Sequence, residues 1–215
     1  MHNPFFLRPR DPKMSIISPD YDDKACRSKF FPQRFWHYFK DRLIFNSIDM
    51  DKFSLDLGCG SGVVVQRLNK AAGVDIDFDK LYYLKKNKKI KGYLVLADIR
   101  YLPFKKNTFE QIVCSEVIEH IERDGKWLEE IVRISNSGSN VVLTTPDYGN
   151  IYWPVIEWLY KIFLPNGYAD QHISHYTMKD MVDILTKFKF RIIKKHSLFK
   201  SVVFINAVLE SQRKI

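Results

Sequence analysis

The sequence predicts an α/β fold, a parallel sheet covered by helices on both faces. Three observations carry this. Between residues 53 and 146 short apolar runs alternate with amphipathic stretches, the texture of β-α-β units whose strands are buried on both sides. The first apolar run empties into a glycine-rich turn, LGCGSG at 57–62, where a strand reverses tightly and lets the backbone approach a ligand. Finally, 46% of the 215 residues are hydrophobic, enough for one substantial core and unlike a disordered chain.

The elements follow in order. Residues 1–27 are rich in Pro, Asp and Arg without periodicity and read as an irregular arm, and residues 28–215 as one domain. Phe35, Trp36, Phe39, Leu43 and Ile44 recur near helical spacing, so 28–47 is expected as a helix on the domain edge, with Pro32 in its first turn. FSLDL (53–57) is a buried strand, and SGVVVQRLNK (61–70) a helix after the glycine turn. AAGVDI (71–76) is a second strand, FDKLYYLKKNK (78–88) a helix, GYLVLADI (92–99) a third strand and FEQIVCS (109–115) a fourth. GKWLEEIVRIS (125–135) is a helix and SNVVLTTP (139–146) a fifth strand. TMKDMVDILTKF (177–188) is an amphipathic helix capped by Thr177, and FRIIKKHSLF (190–199) and SVVFINAVL (201–209) are closing strands. The run KKNKKIK (85–91) reads as a solvated helix end. IYWPVIEWLYKIFL (151–164) is apolar and aromatic, and 148–176 is a candidate lid.

The formal charge is +9. That balance is compatible with RNA or with an anionic membrane surface, and does not choose between them. Cys26, Cys59 and Cys114 are odd in number and widely spaced, with no CxxC, which argues for free thiols in a reducing cytoplasm. No apolar run approaches the ~20 residues of a membrane span.

Two features sharpen the glycine turn. Asp75 ends the second strand, where an acid accepts hydrogen bonds from ribose hydroxyls. The spacing is wrong for a dinucleotide, because Val63 stands where a third small residue is needed. Asp56 lies just before the first glycine; it would repel a pyrophosphate but attract an amino group or a sulfonium. A ligand with a ribose, a cation and an amino-acid end fits, and S-adenosylmethionine has all three.

LDLGCGSG (55–62), GVDID (73–77), ADIRYLPF (97–104), FEQIVCSEVIEHI (109–121) and VVLTTPD (141–147) stand in the order found in class I S-adenosylmethionine-dependent methyltransferases, and the chain resembles that family. The resemblance implies a Rossmann-like seven-stranded sheet of order 3-2-1-4-5-7-6 with strand 7 antiparallel. It implies that Asp56, Gly58, Cys59 and Gly60 line the methionine end of the cofactor and that Asp75, with Ile76, takes the ribose. Asp98 would hold the adenine amino group with Ile99 beside it, and Ser115 would touch the cofactor backbone. The sequence departs from the family at Ser135–Ser139, which touches turn geometry, at Lys189-Phe190 and at Glu110, and none of these removes a cofactor contact that the resemblance implies.

Glu116, Glu119 and His120 follow the fourth strand, at i, i+3 and i+4, one face if the segment is helical. Such a set suits a general base, with His120 and Glu119 the catalytic candidates, or a hard or borderline divalent ion such as Mg2+. Small-RNA 3′-end 2′-O-methyltransferases carry a similar Glu-x-x-Glu-His plus a later histidine; by that resemblance His172, rather than His175, completes a metal set of Glu116, Glu119, His120 and His172. Ubiquinone-pathway O-methyltransferases carry a similar motif.

The aromatic segment 151–164 reads as core. As a functional surface it suits an apolar or lipid-like acceptor, peripheral membrane contact, or stacking on bases. Three readings stand at this point: an O-methyltransferase of a small-molecule or lipid-like acceptor, a metal-dependent RNA ribose 2′-O-methyltransferase, and a cofactor-binding module without catalysis.

Overall fold

The computed structural model describes residues 18–26, 31–163 and 172–210. Most of the expected arm, and residues 164–171 of the expected lid, lie outside them.

Seven strands form one sheet of order β3-β2-β1-β4-β5-β7-β6. They are β1 (Phe53–Leu57), β2 (Lys70–Asp75), β3 (Gly92–Leu96), β4 (Phe109–Ser115), β5 (Ser135–Pro146), β6 (Phe190–Leu198) and β7 (Val202–Leu209). Strands β1 to β5 pair in parallel, and β7 runs antiparallel to β5 and to β6. The expected order and the antiparallel seventh strand are both present.

Alternation along the strands sorts the core into two layers. Leu55, Leu57, Ile112, Cys114, Val141 and Leu143 face one side, under α4 (Lys126–Ile134) and α6 (Met178–Lys187). Val113, Val142 and Phe204 face the other, with Ile44 of α2 (Phe31–Phe45) and Leu81 and Leu84 of α3 (Phe78–Asn87).

Five expectations are corrected. A six-residue helix, α1 (Tyr21–Cys26), interrupts the expected irregular arm. The helix expected over 61–70 is only a 3₁₀ turn at Val65–Arg67. Residues 62–69 must climb back along the five-residue β1, about 17 Å. An α-helix rising ~1.5 Å per residue would cover only about 12 Å of that. The third strand stops at Leu96, before Asp98 and Ile99, while the fifth begins at Ser135 rather than 139.

The fifth correction concerns the segment after β4. Glu116 sits in the left-handed region (φ 55°), and only Ile118–His120 form a 3₁₀ turn. Glu116, Glu119 and His120 therefore do not share the face of one helix. The aromatic segment does form a helix, α5 (Tyr152–Phe163).

Candidate functional site

The C-terminal ends of β1, β2, β4 and β5 meet at one edge of the sheet. There the glycine turn is tied by the acids around it. Gly58, Gly60 and Gly62 all adopt positive φ (66°, 49° and 83°). The Gly60 N–H donates to Asp75 Oδ2 and the Asp77 N–H to Asp75 Oδ1, both at 2.9 Å. The Val65 N–H donates to Asp56 Oδ2 at 2.9 Å. Asp56 and Asp75 are both buried. Burial pushes the Asp75 carboxyl up, opposed by Lys80 and by its two amide donors. A carboxylate offers about four lone-pair sites, so Asp75 keeps accepting capacity beyond the two amides.

The residues fit S-adenosylmethionine through their chemistry: buried Asp56 and Asp75 stand at the strand ends as acceptors for an amino group and for ribose hydroxyls. A Cβ at Gly58 would come within 2.3 Å of Val117 Cγ2, so a glycine there lets the loop after β4 pack directly against the turn. Cys59 is buried beside the turn, its thiol pushed well up by burial and by the nearby Asp56 and Asp75. Ile76 is largely exposed and Ile99 buried. The Asp98 carboxylate is gripped by Arg100, with Nη2 to Oδ2 at 2.6 Å and Nε to Oδ1 at 3.0 Å. Any adenine contact from Asp98 would be made alongside that pair.

Beyond β4 the site turns polar. The Ser115 and Thr144 hydroxyls lie 2.8 Å apart, and Thr144 Oγ1 donates to Glu116 Oε1 at 2.8 Å. Thr145 Oγ1 donates to Glu119 Oε2 at 3.1 Å. Glu119 is buried; burial, then the charge of Glu116, push its carboxyl well up. Lys40 reaches in from α2, its Nζ 3.4 Å from Ser115 Oγ and 5.0 Å from the Trp36 ring.

The second histidine stretch folds back onto this turn. The N–H groups of Ile173 and Ser174 both donate to the Glu119 carbonyl, at 2.9 and 3.0 Å. That anchor brings the ring of His172 to 4.9 Å from that of His120. One ligand atom from each of Glu119, His120 and His172 lies within 4.8 Å of the others. Glu116 lies outside this group, turned instead to Thr144. His175 faces elsewhere, stacked on Tyr148 at 4.0 Å.

Behind His172 stands a polar wall that the sequence did not announce. Tyr148 Oη is 2.9 Å from His172 Nδ1 and donates to Glu157 Oε2 at 3.2 Å. Burial pushes the Tyr148 hydroxyl well up, so it keeps its proton at neutral pH. A phenol has one proton. With that proton on Glu157, Tyr148 accepts from Nδ1–H of His172, which leaves Nε2 as the basic nitrogen of that ring. Trp153 stacks on His172 at 5.9 Å and on Trp36 at 6.3 Å. Tyr148, Glu157 and Lys40 left faint traces in the sequence: a tyrosine just after a strand, the one acid of α5, and a lysine four residues beyond Trp36.

Residues 55–143 match the methyltransferase domain family. A ubiquinone/menaquinone biosynthesis C-methyltransferase of Wigglesworthia glossinidia brevipalpis is 27% identical over 160 residues, covering 68% of this chain and 61% of that protein. Among solved structures, a chain of the Haloferax volcanii complex between the Trm112 methyltransferase activator and a methyltransferase superposes with a TM-score of 0.70. It is 15% identical and covers 91% of this chain and 98% of that one. An S-adenosylmethionine-dependent methyltransferase of Aquifex aeolicus gives 0.64 at 14% identity, covering 90% and 99%. The chain spans about three-fifths of the length of the curated relatives it matches. Sheet order, glycine turn and matched segment agree: the chain carries a class I S-adenosylmethionine-dependent methyltransferase domain.

Proposed function

We propose that the protein transfers a methyl group from S-adenosylmethionine to an oxygen of a small or lipid-like acceptor, with His120 as general base. The observation that carries this reading is the cluster of Glu119, His120 and His172 at the end of β4, within 4.8 Å of one another and beside the glycine turn.

Asp56, Gly58, Cys59, Gly60 and Ser115 would hold the methionine end of the cofactor, Asp75 and Ile76 the ribose, and Asp98 and Ile99 the adenine. When bound, the cofactor supplies an electrophilic methyl on a good leaving group, so placement accounts for much of the rate. A hydroxyl acceptor must also lose a proton, and His120 is positioned to take it. His172 braces His120, and Tyr148 and Glu157 fix the tautomer of His172. Glu119, held by Thr145 Oγ1, flanks the two rings and helps to position them. Trp153 and Trp36 wall the site against water.

The same cluster supports a second reading, a divalent ion held by Glu119, His120 and His172 that lowers the pKa of a ribose hydroxyl in RNA. With two imidazoles beside one carboxylate, the set suits a borderline ion such as zinc better than Mg2+, which prefers oxygen donors. A catalytically inactive cofactor-binding module is the outcome if the cofactor binds and nothing is methylated. The Haloferax neighbour's assembly with an activator makes a Trm112-like protein a partner to test by co-purification.

The test is incubation with labelled S-adenosylmethionine and fractionated cell extract, with and without chelator. Label in the solvent-extractable fraction, unaffected by chelator, supports the first reading. Label destroyed by ribonuclease and prevented by chelator supports the second.

A further inference from the structure

Helix α5 has two unlike faces. Trp153 and Glu157, one turn apart, point inward, onto His172 and Tyr148 respectively. The opposite side is apolar and in water: Ile151 just before the helix is 73% exposed, Tyr152 48%, Val155 44% and Trp158 61%. The acid of α5 is thus spent on the site, and between Ile151 and Trp158 its outer face carries none.

This face continues onto two neighbours. Phe199 and Lys200 form the tip of the β6–β7 hairpin. The Lys200 Nζ lies 5.5 Å from the Tyr152 ring, and Phe199 lies 5.6 Å from Phe35 of α2. Phe199 is half exposed, as is Tyr38 one turn along α2. Both tip residues hold positive φ, 50° and 53°, where a side chain is strained and where Asn-Gly is the usual choice. Exposed and strained, an aromatic and a lysine at this tip are better explained by what they meet than by what they fold.

We propose that this surface, formed by α5, the hairpin tip and the start of α2, docks on an anionic lipid bilayer beside the mouth of the site. Contiguous exposed apolar area of this kind marks an interaction site. Its chemistry decides the partner. Aromatic rings with a lysine against them, in a chain of charge +9, match the headgroup layer, where Trp and Tyr settle and cations meet anionic lipid. None of the helices among the described residues is long and apolar enough to cross a membrane, so the contact is with the interface. The proposal goes beyond the choice of acceptor and is tested without turnover.

The full chain is sedimented with vesicles of phosphatidylcholine alone or mixed with one-third phosphatidylglycerol. The expected result is binding to the mixed vesicles, weakened by salt, with a blue shift of tryptophan emission. Trp158→Asp combined with Val155→Asp lowers the bound fraction at least about tenfold, and Lys200→Ala lowers it about fivefold. Circular dichroism and S-adenosylmethionine affinity of both variants stay at wild-type values. Wild-type protein that remains in the supernatant with both vesicles overturns the proposal, as do variants that sediment like wild type. A dimer dispersed by the same substitutions, or RNA retention lost with them, also overturns it, assigning the face to a second copy or to nucleic acid.

Discussion

Glu119 and His120 are neighbours in sequence with different surroundings. The Glu119 carboxyl is buried against Thr145 and pushed well up, while His120 meets His172 ring to ring. Because the folded value of Glu119 is raised, its ionisation costs stability. That cost is absent below the ordinary carboxylate value near 4.5 and grows as pH rises toward the folded value. Glu119→Gln should therefore raise the Tm over wild type at about pH 8 and leave it unchanged at about pH 4, while lowering activity. His120→Ala should reduce turnover by about 10²–10⁴-fold, the usual worth of a general base, with S-adenosylmethionine affinity unchanged by calorimetry. Retained turnover would remove His120 from the chemistry. Asp75→Ala should weaken cofactor binding by about 1–3 kcal/mol, since it removes acceptors for both ribose and loop. Unchanged affinity would misplace the ribose site.

Among elements, α6 has the best-defined start. Thr177 Oγ1 accepts from the Asp180 N–H at 3.1 Å, and Asp180 Oδ2 accepts from the Thr177 N–H at 3.0 Å, a reciprocal capping box. Burial opposes the charge on Asp180. The Thr177 donors and Arg123 outweigh it and hold the carboxyl below its usual range. A lowered folded value means stability that is complete above the ordinary value near 3.8 and lost as pH falls through the folded one. Thr177→Ala should cost about 1 kcal/mol at neutral pH, read by urea unfolding. Its deficit should shrink in acid, where Asp180 is protonated.

Thr177 was legible because a cap is written in adjacent residues. The strands were legible for a similar reason: runs such as FEQIVCS are short and apolar, and β4 matches that run end to end. After Ser115 the i, i+3 and i+4 spacing suggests a helix, yet it is equally compatible with a left-handed residue followed by one 3₁₀ turn, which is what forms. The pattern of 61–70 is helical, but the distance back along β1 is longer than a helix of that length can cover. In the site, the pairing of His120 with His172 hangs on two backbone N–H groups reaching the Glu119 carbonyl. Tyr148 and Glu157 likewise meet through space, with α5 rather than sequence spacing joining them.

At the scale of the molecule, cofactor and fold are coupled. A ligand that binds only the folded state at about 100 times its Kd stabilises by about 2.7 kcal/mol. S-adenosylhomocysteine should thus raise the Tm of the wild type by several degrees, and the shift should shrink in Asp75→Ala.

The short 3₁₀ connection after β1 has a consequence for where this unit can be cut. With no helix between β1 and β2, the sheet face carrying Val113, Val142 and Phe204 draws part of its cover from Ile44, with Leu43 and Phe45 packed alongside. Those residues precede the matched segment, 55–143. The recognisable motif block is therefore not a self-sufficient module: a truncation at about residue 50 would keep every residue proposed to hold the cofactor yet strip one side of the sheet. In modular terms, α2 stands in for the absent crossover helix, so a boundary drawn at the motif block would cut through the core.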